Sequence, residues 1–223
     1  MVSQQLVDLS VPGIDIVIFD DLTRAYDTKL DVAVISGTVT NAKGLDQLAG
    51  TNTSRTYTSN TPTVPGLYPK FAGAIADVNT GIFMPPDVIA MHPLRWAWIL
   101  SALDSSNRPL IVPSGQPGFN AAGLETRVAA ENIVGNMFGL PVVIDASIPT
   151  GLGASTNQDE IFVYRSDQLY LYESPPVLRI FEEVLSNTLQ VRFQLYGYYA
   201  LILGRLPKAI SIIGGTGCTA PTF

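Results

Sequence analysis

Apolar residues recur along 13–37 (GIDIVIFDDLTRAYDTKLDVAVISG) at Ile14, Ile18, Leu22, Ala25 with Tyr26, Leu30, and Ala33 with Val34. Steps of three and four are the helical period, and Asp20, Asp21, Arg24 and Asp27 fall on other faces. Pro12-Gly13 breaks the chain before this run and Gly37 offers a stop after it, so a helix of about 20 residues is predicted. The Thr-, Asn- and Gly-rich stretch 38–66 reads as loop with a short strand around Arg55–Thr58. A short helix is predicted over 67–81, bounded by Pro69 and Gly81.

From Phe83 the pattern changes. The short apolar run Val88–Met91 ends in His92-Pro93. A residue before proline is pushed out of the helical region, whereas proline is welcome as the first residue of a helix. Val88–Met91 therefore reads as a strand, His92 as a cap, and Pro93 to about Leu103 as a helix with Trp96, Ile99, Leu100 and Leu103 on one face. The segment 105–123 reads as loop crossed by an extended piece, Pro109–Val112, and 124–139 fits either helix or strand. A buried strand is predicted over 140–149, stopping at Asp145, and 151–160 reads as a turn.

The last part is strand-rich: 160–166, 168–174 and 187–203. Leu189, Val191, Phe193, Leu195 and Gly197 fall on one side, and Gln190, Arg192, Gln194 and Tyr196 on the other. That is period 2, a sheet with one more polar face. From Tyr198 to Leu203 polarity vanishes, and periodicity does not choose between strand and helix. One more short strand is predicted over 208–215. The architecture is mixed α+β, and no repeat of 20–50 residues suggests a solenoid.

Composition changes the picture in one respect. Only 14% of the 223 residues are charged while 47% are hydrophobic, against about 25% charged in ordinary soluble domains. A chain with so few solvated side chains is expected to cover much of its surface with a partner. The net charge of −6 and the scattering of 13 Lys and Arg argue against tight nucleic-acid binding, which needs a basic patch. One cysteine, Cys218, excludes an intramolecular disulfide framework and a multi-cysteine metal site. No apolar run is long enough to span a bilayer, no cleavable leader follows Met1, and the chain reads as intracellular when made.

Candidate chemistry is sparse. His92, the chain's single histidine, lies near Asp87, Arg95, Trp96 and Trp98 in sequence, and histidine is the residue type most often used for acid–base work. No serine sits in a GxSxG elbow to complete a triad, so a capping or packing histidine is the plainer reading. Trp96 and Trp98, two apart on a helix, face different ways and make no paired stacking platform. The glycine runs 214–218 and 151–153 match neither phosphate-loop spacing. The neighbouring carboxylates Asp20-Asp21, Asp159-Glu160 and Glu182-Glu183 point apart if helical. No catalytic residue, metal ligand or cofactor site emerges, and a structural role is favoured.

In their order these segments resemble the major capsid protein of tailed bacteriophages, whose fold is shared with encapsulin shells. Residues 2–38 resemble the family's long spine helix, ending in a D-x-A-x-x-x-G run (DVAVISG). Residues 85–110 are similar to its strand, its H-P corner and axial-domain helix, with Asn107 where a glycine is frequent. GLPVVIDASIP (139–149) is similar to its G-x-P-V-V strand, and 159–217 resembles its closing strands, with Pro207-Lys208-Ala209-Ile210 at a P-x-A-I return.

The resemblance implies an α+β fold with a long spine helix and an axial domain of mixed sheet flanked by helices. The implied segments are 1–80, a partial peripheral domain; 81–186, the axial domain; and 187–223, closing strands returning through the peripheral domain. It implies a structural, non-enzymatic subunit of an icosahedral capsid, forming hexamers and pentamers around double-stranded DNA without sequence-specific binding, cofactor or membrane. Scaffolding, protease and portal proteins are the implied partners, and the virion capsid and the host cytoplasm during assembly the implied locations. His92, Pro93 and Trp96 would form a structural corner, and Arg95 and Trp98 would be contacts between subunits. The family's N-terminal arm and extended loop are expected to be lacking, and with them the lysine for a cross-link to an asparagine in the region of Asn187. Three other readings stand beside this one: an encapsulin-like shell of a cell, a capsid-derived remnant that no longer assembles, and a small α+β hydrolase using His92.

Overall fold

The computed structural model describes residues 2–10, 13–39, 42–48, 53–103, 133–181 and 186–221. The loop read over 105–123, the Asn107 turn, most of the ambiguous stretch after Leu124, and Glu182-Glu183 lie outside them. The first elements are a short strand β1 (Val2–Ser3), a one-and-a-half-turn helix α1 (Gln4–Leu9) and the long helix α2 (Ile14–Ser36). The stripe read from sequence is the inner face of α2 except at Ala25, which is exposed. Ile14, Ile18, Leu22, Tyr26 and Leu30 are half-buried, whereas Asp20, Arg24, Asp27 and Asp31 are exposed. Gly37 ends α2 in an extended, not left-handed, conformation, its N–H donating to the Ala33 carbonyl at 3.0 Å. A β-carbon there would collide with that same carbonyl oxygen.

After the two-residue ladder of β2 (Thr38–Val39) and β3 (Ala42–Lys43), strand β4 occupies Thr53–Thr56. Helix α3 then runs Val64–Ile82, starting three residues earlier than expected, with Pro69 inside it. Thr63 caps it by accepting the Gly66 N–H, and Pro65 sits in the first turn, where the missing N–H is harmless. Pro69 forfeits one further backbone bond. The buried face of Val64, Leu67, Phe71, Ala74 and Val78 holds the helix through it.

Strand β5 is Val88–Met91 and helix α4 is Pro93–Leu100. Helix α4 stops short of Leu103, which is 54% exposed instead of sharing the buried face. Ser101 Oγ donates to the Trp98 carbonyl at 2.8 Å, and the Ala102 N–H turns to Ile99, tightening the last turn until it closes. Strands β6 (Ile133–Met137), β7 (Leu140–Ile144) and β8 (Ile161–Tyr164) follow. Next come β9 (Tyr170–Glu173), β10 (Val177–Phe181), β11 (Gln190–Tyr196), β12 (Tyr199–Ile202) and β13 (Ile210–Gly214). Within Tyr198–Leu203, Tyr199–Ile202 is strand, and β10 is a strand that the sequence pattern does not predict.

The central six-stranded sheet has the order β4-β13-β8-β5-β7-β6, with β13–β4 and β5–β7 parallel and the other pairs antiparallel. It takes strands from each of the segments 1–80, 81–186 and 187–223. Both faces are buried. Ile89, Met91, Ile161, Val163 and Ile213 face α3 and α4, packing on Leu67, Phe71, Trp96 and Ile99. Ala90, Phe162, Ile210 and Ile212 face Ile35 at the end of α2, with Leu48, Ile148, Leu201 and Leu203. Strands covered on both sides read as continuous apolar runs rather than alternating ones; VIAM and IFVY are such runs, and ISII departs from one only at the buried Ser211.

The second feature is a long hairpin that leaves this sheet. Strands β9 and β10 form its outgoing arm and β11 and β12 its return, with partners from Tyr170↔Ile202 out to Phe181↔Arg192. Twelve residues in an arm span about 40 Å. One extra residue interrupts the outgoing arm at 174–176, a bulge. There Ser174 N donates to the Tyr198 carbonyl and Ser174 Oγ accepts the Tyr198 N–H, replacing the missing ladder bonds. Helix α2 lies along β11. Val191 is buried and Phe193 and Leu195 half-buried beneath it, while Arg192 and Gln194 point outward, the predicted alternation. Leu189 leaves that pattern: it precedes the strand with φ 51 and is exposed.

Candidate functional site

The corner at His92 is built by its own sequence. The extended backbone of His92 (φ −66, ψ 144) is the conformation its following proline demands, and its Nδ1 accepts the Leu94 N–H at 3.1 Å, capping α4. Trp96 and Ile99 then point into the core shared with α3. A catalytic base needs its nitrogens for substrate and orienting partner; here one is spent on a helix end.

Arg95, expected at a contact between subunits, lies inside the protomer instead, with 1% of its surface exposed. Its Nε and Nη2 donate to both Asp159 oxygens at 2.8–3.2 Å, and Nη2 donates to the Thr219 carbonyl at 2.7 Å. Its guanidinium lies 4.8 Å from the Trp98 ring centroid, so Trp98 is half-buried and packs on Arg95. The Asp159 N–H donates to the Cys218 carbonyl at 2.9 Å. One arginine therefore ties α4, the entrance to β8 and the C-terminal segment together. Burial pushes the Asp159 carboxyl up from its ordinary value, and Arg95 pulls it back.

Burial dominates the neighbouring groups. Burial pushes the Cys218 thiol up to about 12, so it is protonated at neutral pH. Glu160 is pushed up to about 7 by burial, with Asp46 and Asp159 adding repulsion, and Glu160 Oε2 and Asp46 Oδ1 are buried without a hydrogen-bond partner. The glycine run 214–218 wraps Tyr57: side chains at Gly215 or Gly217 would strike its backbone or ring. Among the described residues no group of three or more His, Cys, Asp or Glu is placed to hold a metal ion, and no helix is long and apolar enough to cross a membrane. An open depression of about 530 Å³ beside α1, lined by Ser3, Gln4, Gln5, Leu9, Thr188 and Leu189, contains no titratable side chain.

What the molecule presents outward is apolar surface. On the hairpin, Tyr172, Val177, Ile180 (53% exposed), Tyr198 and Ile202 stand open to solvent. On the helices, Leu6, Leu9, Ile16 (64%), Val17 and Phe19 do the same. Scattered apolar side chains are normal on any protein, but here they gather on one hairpin and the two helices beside it. The sequence signal for this surface was the shortage of charge, which named no residues. Nor could sequence pair Arg95 with Asp159, 64 positions away.

The profile of the phage capsid family matches residues 1–203. No curated protein matches. Among solved structures, the capsid of a native GTA particle computed with C5 symmetry superposes with TM-score 0.67 at 18% identity, over 96% of this chain and 69% of that one. A chain from Mycobacterium phage Bobi gives 0.66 at 15% identity, over 96% and 69%. One from Mycobacterium phage Adephagia gives 0.64 at 14%, over 99% and 70%. At these identities the likeness is one of fold.

Proposed function

The chain belongs to the phage capsid family, and from that premise we propose that it is the structural subunit of an icosahedral capsid, grouped in hexamers and pentamers around double-stranded DNA. The observation that carries this reading is the hairpin of β9–β12, which is rooted on the core by Leu201 and beyond it exposes large apolar side chains on both faces. A monomer gains nothing from such an arm; a subunit buries it against neighbours. The net charge of −6 suits a wall that packaged DNA passes without adhering. Scaffolding, protease and portal proteins are the partners this role brings, with assembly in the host cytoplasm and the virion as destination.

The test is particle sizing of the purified chain by light scattering with electron microscopy across concentration and salt. Capsomer rings or shells are expected. A Tyr172→Asp, Ile180→Asp variant is expected to keep the wild-type melting profile yet remain monomeric. A wild-type chain that is strictly monomeric under every condition would overturn the reading.

A further inference from the structure

The layer formed by α2 on the hairpin has two outer sides, and they differ in charge. On the helix side, Asp20, Arg24, Asp27 and Asp31 follow one another at spacings of four, three and four, a single exposed ridge flanked by exposed Ile16 and Val17. This ridge lies opposite the half-buried stripe of Ile14, Ile18, Leu22 and Tyr26 that packs toward β11. Three carboxylates against one guanidinium make it acidic.

On the sheet side, strand alternation sends Arg192, Gln194 and Tyr196 away from α2. The register pairs Val177 with Tyr196, Arg179 with Gln194 and Phe181 with Arg192, so Val177, Arg179 and Phe181 share that outer face. Arg179 confirms the placement by lying 5.2 Å from the Tyr196 ring centroid. Arg179 and Arg192 are diagonal neighbours, about 7 Å apart. Both are exposed, and the described outer face of β10 and β11 carries no carboxylate. The ion pairs formed among the described residues are Arg55–Asp77, Arg95–Asp159 and Arg165–Asp167, and none uses a charge from either side of the layer.

We infer that the α2 ridge of one copy of this chain docks on the outer β10–β11 face of the next copy. This rests on the capsid reading above and adds the residues of one contact to it. The two faces lie on opposite sides of one layer, so within a chain they cannot meet, whereas between copies they meet head to tail. A contact joining two different patches is heterologous, and such a contact closes into a ring when its rotation divides a full turn. The composition suits it: arginine, tyrosine, phenylalanine and valine on one side, and aspartate with isoleucine and valine on the other, are interface chemistry with matched charge. Asp20 and Asp27, two turns apart, stand about 10 Å from each other along the helix, a span the two arginines reach by splaying. A nucleic-acid backbone is the poorer occupant of the sheet face, because two arginines are a small footprint for a polyanion.

The experiment uses two charge-reversed variants of the full chain, Arg179→Glu with Arg192→Glu on the sheet and Asp20→Arg with Asp27→Arg on the helix. Circular dichroism and thermal melting establish that each is folded. Sedimentation velocity is then expected to show each variant alone associating only at concentrations at least about tenfold above wild type, since like charges then face each other. Combining all four substitutions in one chain restores association. Mixing the two double variants also restores it, and only in even-numbered rings, because the copies must alternate. If either double variant associates like wild type, this contact is wrong while the capsid reading stands. If association is lost but neither combination restores it, the pairing of these two faces is wrong. If wild type itself never associates, the capsid reading fails, and the contact with it.

Discussion

Arg95 and Asp159 are taken out of water together, and their surroundings decide what removing either would do. The guanidinium is engaged through Nε and Nη2 by two carboxylate oxygens and one carbonyl, and it lies against the face of Trp98. Substituting Asp159→Ala strands a buried cation, which costs about 3–5 kcal/mol. Replacing both partners with apolar residues, Arg95→Met with Asp159→Leu, costs less than Asp159→Ala alone. Urea unfolding followed by tryptophan fluorescence reads both, because Trp98 lies against Arg95 and Trp96 in the core beside it; equal losses in the two variants would contradict the argument. Glu160 offers a second test. Its carboxyl holds a proton up to about 7 in the fold, against 4.5 for the free group, so the folded state binds a proton that the unfolded chain has released. Stability therefore falls as pH rises from 4.5 to 7 and stays at the lower level above it. Glu160→Gln removes this slope and is expected to be about 1–3 kcal/mol more stable than wild type at pH 8, with little difference at pH 4.5. Urea midpoints measured across that range decide it.

At the scale of elements, the joint between α2 and the hairpin hangs on Gly197. A β-carbon at this position would press on the Tyr26 hydroxyl from α2. Gly197→Val is expected to cost about 1–3 kcal/mol by overpacking and to speed amide exchange along 22–30 while the core sheet is unchanged. Tyr26→Ala in the same chain restores part of the loss by making room. The elements themselves were unequally legible in the sequence. Helix α2 declared itself because each position has one environment, inner or outer, and the stripe keeps period through six turns. The strand-to-helix corner was legible because His92-Pro93 acts locally. Helix α3 is only partly legible, since Pro69 argues against a helix interior that tertiary packing of Leu67 and Phe71 sustains. Strand β10 was passed over because Pro175-Pro176 precede it and its residues alternate weakly. It is a strand because β11 pairs with it. Nothing local to Arg95 marks Asp159 as its partner, and the exposed apolar surface is foreshadowed only as a deficit of charge.

Across the whole molecule, stability is unevenly shared. The strands β5, β8 and β13 are covered on both faces and hydrogen-bonded on both edges, and Ile89, Met91, Ile161, Phe162, Val163, Ile210 and Ile213 are almost wholly out of water. Their amides open only when the protein unfolds globally. The hairpin has the reverse construction: β9 and β12 pair only with each other, β10 is an edge, and apolar side chains on both faces meet solvent. An arm of two strands is at best marginal by itself, so within the protomer its order leans on α2 and on β1, which pairs with β11, and in the proposed assembly on neighbours. In dilute solution, amides of β9, β10 and β12 are expected to exchange at least about a hundredfold faster than those of β5, β8 and β13. On association the hairpin and the outer turns of α2 should slow markedly, with the core sheet unchanged. Exchange followed by mass spectrometry at two protein concentrations makes the comparison. Uniform slowing would mean that assembly stabilises the protomer as one unit. Slowing in the core alone would mean that the arm is not the part that neighbours cover.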